Sequence, residues 1–158
     1  MIENKRIILV GPGGSGKDHL RKIMESRGFT YSLSFTSRPI RENEEEGKDY
    51  HFTTPEYFEK NRNKFYEIAE FNGWKYGTLA EDFYSKNLFI MTPSGISNIK
   101  KEDRKSSFII YLNPTEEIRR KRLSERRDAD SLERRLEADR KDFENFGDFD
   151  MMITNENF

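Results

Sequence analysis

The chain has no cysteine, so neither a disulfide framework nor a thiolate metal site organises it. It also lacks any apolar run approaching the length of a membrane span. Met1 to Arg6 lead directly into the first apolar run without the pattern of a signal peptide, so a cytoplasmic location is expected. An excess of one charge sign is missing too. Charged residues make up 36% of the chain yet sum to a net −1, which argues against a nucleic-acid or membrane surface and for a small ligand. There is no internal repeat and no low-complexity linker. At 158 residues the chain is expected to form a single domain over 1–158, with one compact site.

What is present is a glycine-rich turn in a telling place. Gly11, Pro12, Gly13, Gly14, Ser15, Gly16, Lys17 and Asp18 directly follow the apolar run Ile7 to Val10. Four glycines let the backbone curl until successive N–H groups face one anion, and Lys17 adds a mobile positive charge for the outer phosphates. Leu20, Ile23 and Met24 then recur at helical spacing. Strand, glycine loop and helix together read as a phosphate-binding loop, and so as a site for ATP. Such loops usually end in Ser or Thr, whose hydroxyl helps to hold Mg²⁺. Asp18 stands there instead, either as an altered metal ligand, the reading favoured here, or as a sign of weakened ATP binding.

Short apolar runs recur at Ile7 to Val10, Leu88 to Met91, Phe108 to Leu112 and Met151 to Ile153, as expected of strands covered on both faces. Helical stretches between them imply a parallel sheet, with ligands at the carboxyl ends of its strands. Helix starts are expected at Thr54-Pro55, at Asn113-Pro114 with Glu116, and at Asp130 with Glu133. The last two predict helices over 114–126 and 131–143, parted by a break at 127–129. Alternation at Phe29, Tyr31, Leu33 and Phe35 predicts a strand, after which the 32–78 stretch looks inserted. The acidic run Glu44 to Glu46 is expected to be an exposed loop.

Four pieces of that insert, in order, resemble the substrate-binding segment of guanylate kinases. They are Ser34 to Arg41 (Ser-Phe-Thr-Ser-Arg-Pro-Ile-Arg), Gly47 to Phe52, Phe65 to Phe71, and Trp74 to Thr78. The resemblance implies an α/β, three-layer P-loop NTPase-type fold: a parallel-sheet core (1–31 and 80–158), an inserted monophosphate-binding segment (32–79) and a short lid (about 122–135). It implies that Arg38, Arg41, Tyr50 and Tyr76 hold the acceptor phosphate, since paired guanidinium groups grip phosphate with bidentate bonds. It implies that Glu67 accepts from the N1–H and N2–H₂ edge of guanine, that Ser34 meets O6, and that Thr78 keeps a hydroxyl at the same site. Alone, two loop arginines would be ordinary surface and two tyrosines ordinary core.

Arg122, Arg126 and Arg135 match the lid positions of the family, where the resemblance makes them catalytic together with Lys17 and Arg38. Asn155, in Thr154-Asn155-Glu156, matches a segment near the adenine of ATP. One departure concerns the base. The family carries an acid after the strand at Leu88 that assists guanine recognition, whereas this chain reads Met91-Thr92-Pro93-Ser94-Gly95. A second is the close at Phe158, where the family continues into a further helix; a minimal version of the fold, or a homodimer covering that face, would account for it. The expected activity is transfer of the ATP γ-phosphoryl group to GMP or dGMP, with Mg²⁺. Two alternatives stand beside it: a broad deoxynucleoside monophosphate kinase, and a catalytically silent guanylate-kinase-like binding module.

Overall fold

The computed structural model describes residues 5–125, 131–155 and 157. Along the chain run β1 (Arg6–Val10), α1 (Lys17–Ser26), β2 (Phe35–Thr36), β3 (His51–Phe52), α2 (Pro55–Lys60), β4 (Phe65–Phe71), β5 (Trp74–Leu79) and α3 (Ala80–Ser85). There follow β6 (Leu88–Ile90), α4 (Pro93–Ser97), α5 (Lys101–Arg104), β7 (Ser107–Leu112), α6 (Glu116–Ser124), α7 (Leu132–Phe143) and β8 (Met151–Ile153). Among the described residues no helix is long and apolar enough to cross a membrane.

The four apolar runs form one sheet in the order β6-β1-β7-β8, and every pairing in it is parallel. β1, β6 and β7 are largely buried because helices cover both faces, whereas β8, at the edge of the sheet, leaves Met151 and Met152 exposed, which corrects the expectation of a strand covered on both faces there. On one face Leu20 and Met24 of α1 pack with Leu9, Leu88 and Leu112. On the other, Phe83 of α3, Ile96 of α4 and Phe143 of α7 pack with Ile8, Val10 and Ile109. The carboxyl ends of β1 and β6 lie side by side, so Gly11 and Met91 open onto the same edge.

A second sheet, built entirely from residues 35–79, has the order β3-β2-β5-β4 with an antiparallel β4–β5 hairpin. Its hairpin pairs Glu67 with Thr78 beside a register shift after Phe65. Alternate residues Phe65, Glu67 and Ala69 are buried, while Tyr66 turns to the other face and stacks on Phe83 at 3.6 Å between ring centroids.

Several local expectations are corrected. The 29–35 stretch enters a strand only at Phe35; before that it meets the edge of the first sheet in a single parallel bridge, Tyr31 to Leu88, where the Ser32 N–H donates to the Leu88 carbonyl at 2.9 Å. Its alternation records burial of Phe29 and Tyr31 against the first sheet, not a ladder. The sixth helix is capped by Thr115, not Asn113, because the Asn113 N–H still donates to Ile153 at 2.8 Å and has not left the sheet. That helix ends at Ser124. The seventh is capped by the Ser131 hydroxyl, which accepts from the Arg134 N–H; Asp130 and the break at 127–129 lie outside the described residues. Thr54 caps α2 as expected.

Gly77 lets the hairpin close on its aromatic neighbours, since a Cβ there would stand 2.7 Å from the Phe65 ring and 2.9 Å from the Phe58 ring. Gly77→Ala is therefore expected to cost about 1–3 kcal/mol through overpacking, read as a lower urea midpoint with an unchanged slope.

Candidate functional site

The carboxyl edge of the parallel sheet and the open side of the second sheet enclose a cleft of about 440 Å³. One end is the glycine loop. Gly14 (φ 76°) and Gly16 (φ 97°) take the left-handed conformation that side chains disfavour, and Gly16 is the residue from which α1 starts. Lys17, first in that helix, donates its ammonium to the Gly11 carbonyl. The Gly13 N–H donates to Asp139 Oδ2 at 3.2 Å, so a loop amide is directed at negative charge.

Two helices bring further charge to this end. Arg122 of α6 donates to the Gly14 carbonyl at 2.9 Å, and Arg135 of α7 lies beside Gly13. Asp139, four residues beyond Arg135, also pairs with Arg119 at 3.3 Å, both side chains being buried. Burial raises the Asp139 carboxyl above its usual range, and Lys17, Arg119 and the Gly13 amide offset only part of that rise. Asp142 is pushed up to about 6 by burial and by its neighbour Asp139, against the pull of Lys17. Asp18 lines the cleft on the first turn of α1 with its side chain 66% exposed, and meets Arg21 at 3.4 Å.

The second pocket lies on the loop from β2 to β3. Arg38 is 5% exposed and grips Glu44 with two bonds of 2.9 Å, while the Arg41 N–H donates to the same carboxylate. Burial pushes the Glu44 carboxyl up, but the Arg38 fork and the Arg41 amide more than offset it and hold the group below the usual carboxylate range. The Arg38 guanidinium also lies over the Tyr50 ring at 5.3 Å, and Tyr50 meets Tyr76 edge-on at 6.1 Å. Arg38, Arg41, Tyr50 and Tyr76 all line the cleft. Glu44 corrects an expectation: it is a half-buried partner of Arg38, not part of an exposed loop.

Glu67 lies between the two sheets. It is 7% exposed; Oε1 accepts from the Thr78 hydroxyl at 2.8 Å, and Oε2 is buried with no hydrogen-bond partner among the described residues. A Cβ on Gly95 would stand 2.8 Å from Oε2, so glycine at the start of α4 leaves that oxygen its room. Burial raises this carboxyl to about 7, moderated by the Thr78 hydroxyl. Ser34, 6% exposed, and Thr78, 2% exposed, line the same cleft. Thr92, where the resemblance led to an expected acid, accepts from the Gly95 N–H at 3.0 Å and caps α4.

Of the residues named from sequence, the structure brings most to this cleft. Pro12 is buried behind the loop and does not line it. Asn155 is exposed, away from the cleft, and accepts from the Asn157 N–H. Arg126 lies outside the described residues. Arg119, Asp139 and Glu44 were missed. Helical spacing offered a signal for two of them, because Arg119 precedes Arg122 by three residues and Asp139 follows Arg135 by four.

The Glu67 shift has a sign. In the unfolded chain the group ionises near 4.5 and in the folded protein near 7, so stability falls as pH rises through that window and stays reduced above it. At about 1.4 kcal/mol per pKa unit, Glu67→Gln is expected to be more stable than the parent by about 3–4 kcal/mol at pH 8 and by almost nothing at pH 4, as measured by urea unfolding at both.

The guanylate kinase family profile matches residues 3–158. The chain is 34% identical to guanylate kinase of Sus scrofa, an alignment covering 95% of this chain and 84% of that one. It is 30% identical to guanylate kinase of Chlorobaculum tepidum, over 98% of this chain and 86% of the other. The crystal structure of guanylate kinase from Anaplasma phagocytophilum superposes with a TM-score of 0.73 at 26% identity, covering 98% of this chain and 79% of that one. With a profile match over nearly its whole length and a fold to go with it, this chain belongs to the guanylate kinase family.

Proposed function

We propose that the two ends of this cleft are the donor and acceptor sites for phosphoryl transfer from ATP to GMP or dGMP. Membership of the family makes the chain an ATP-dependent phosphotransferase acting on GMP. The observation that carries the residue assignment is that two cationic pockets, the Lys17 loop and the Arg38–Arg41 pair, line one cleft.

In this reading the core (1–31 and 80–158) carries ATP, with the amides of Gly11 to Gly16 and the Lys17 ammonium around its phosphates. The insert (32–79) carries the monophosphate: Arg38, Arg41, Tyr50 and Tyr76 hold the phosphate, and Glu67, Ser34 and Thr78 face the base. Arg122 and Arg135, from the lid about 122–135, offset charge on the group in flight. No protein nucleophile is required, because positioning and electrostatic stabilisation supply the acceleration. Internal acids keep the arginines in place until phosphate arrives: Glu44 aligns the Arg38 fork and Asp139 aligns Arg119.

The residues present fit Mg²⁺. Asp18 offers a largely exposed carboxylate next to Lys17. Among the described residues no three acidic or histidine side chains converge as a metal cage, which suits an ion held by one carboxylate, phosphate oxygens and water. Bound there, Mg²⁺ would offset charge on the outer phosphates.

Lys17→Ala and Arg38→Ala are each expected to lower kcat/KM for GMP by at least about 100-fold, with thermal melts confirming a folded protein. Arg38→Lys should recover only part of the loss, because an ammonium lacks the planar fork. Near-parental turnover in either alanine variant, or no ADP formed by the parent with Mg²⁺ and GMP, would overturn this assignment.

A further inference from the structure

We infer that the base end of this cleft also takes adenine when Glu67 carries a proton, so that AMP becomes a second phosphoryl acceptor whose use rises as pH falls. This rests on the acceptor site proposed above.

The argument starts from the unpartnered oxygen. Oε1 of Glu67 is engaged by Thr78, and Oε2, packed against Gly95 in the place a side chain there would take, has no bond of its own among the described residues. An ionised carboxylate only accepts hydrogen bonds, whereas a protonated one both donates and accepts. Guanine presents two donors, N1–H and N2–H₂, to such a group. Adenine presents an acceptor at N1 and only C2–H beside it. Ionised Glu67 therefore suits guanine and opposes adenine, because two lone pairs would meet without a proton between them. Protonated Glu67 donates to adenine N1.

A second group adapts in the same sense. The Ser34 hydroxyl, buried in the same cleft and hydrogen-bonded to Tyr31, would donate to guanine O6 or accept from adenine N6–H₂ by rotating. Thr92 brings a hydroxyl to this wall, already committed as acceptor to the Gly95 amide.

The neighbours leave the proton on Glu67 under the control of burial. Helix α4 carries no ionisable side chain. On β5, Thr78 faces the carboxyl, and Lys75 reaches away to Glu70 at 3.2 Å. On α3, Asp82 accepts from Ser32 and pairs with Lys86, and Glu81 is exposed. Across β4, Tyr66 donates to Asp103. The charged cleft residues act elsewhere: Lys17 on Asp139 and Asp142, Asp18 and Arg38 on Tyr50. With burial placing the group near 7, both protonation states are populated around neutrality.

The test compares kcat/KM for AMP and GMP from pH 6 to pH 8.5. AMP turnover follows the protonated fraction and GMP turnover the ionised fraction, so their ratio should rise about tenfold for each unit by which pH falls. Titration of the 5′-phosphate is common to both nucleotides and cancels. Glu67→Gln presents a fixed donor and acceptor, and should show a ratio shifted towards AMP and flat with pH. Calorimetry of the parent in two buffers of different ionisation enthalpy should show a proton taken up with AMP at pH 8 and one released with GMP at pH 6.

A flat ratio in the parent, binding without these proton changes, or a slope retained in Glu67→Gln would each overturn the inference. Should Glu67→Gln fail to fold, the slope and proton stoichiometry of the parent decide. GMP turnover with AMP inert at every pH defeats this inference alone; absence of turnover on both nucleotides defeats the acceptor-site reading on which it stands.

Discussion

The turn out of β1 exists in this form because Gly11 has no side chain. A Cβ there would stand 2.6 Å from both the Leu112 carbonyl oxygen and the Ser15 hydroxyl, distances that no real side chain tolerates. That closeness locks the loop against the end of β7 and launches α1 with Lys17 at its first turn. Arg122, Arg135 and Asp139 are then arranged around a backbone that has no freedom to accommodate them in another way.

In the proposed assignment, the phosphate-binding and base-binding parts of the cleft follow opposite electrostatic rules. At the phosphate end buried cations are matched by internal acids, Arg38 by Glu44 and Arg119 by Asp139, so neither partner is stranded in a low-dielectric site. At the base end a single carboxyl is buried with one hydroxyl donor and no cation, and its proton affinity climbs accordingly. The first arrangement holds buried charge in place within the protein. The second leaves a carboxyl whose proton, and with it its hydrogen-bond polarity, can change near neutrality.

Much of this was legible residue by residue. The apolar runs of β1, β6 and β7 read as strands because burial on both faces removes alternation, whereas β8 is a strand with Met151 and Met152 exposed. The glycine loop read as an anion site because its chemistry is local. Misreadings came where burial was imposed from a distance. The 29–35 segment alternates because one side of it rests on the first sheet, and Glu44 leaves solvent because Arg38 is buried beneath it. Asn113 looked like a cap until the sheet claimed its amide.

What the order of residues determined by itself was short-range: the conformation of the loop, the cap at Thr54, and the spacing that sets Arg119 with Arg122 and Arg135 with Asp139 on common helical faces. These depend on atoms a few bonds or one helical turn apart. Tertiary structure alone decided that Glu67 is sealed between Thr78 and Gly95, and that loop and arginine pair face one cleft. Those outcomes depend on desolvation and on partners contributed by distant segments, and neither quantity is a property of a residue until the chain has packed around it.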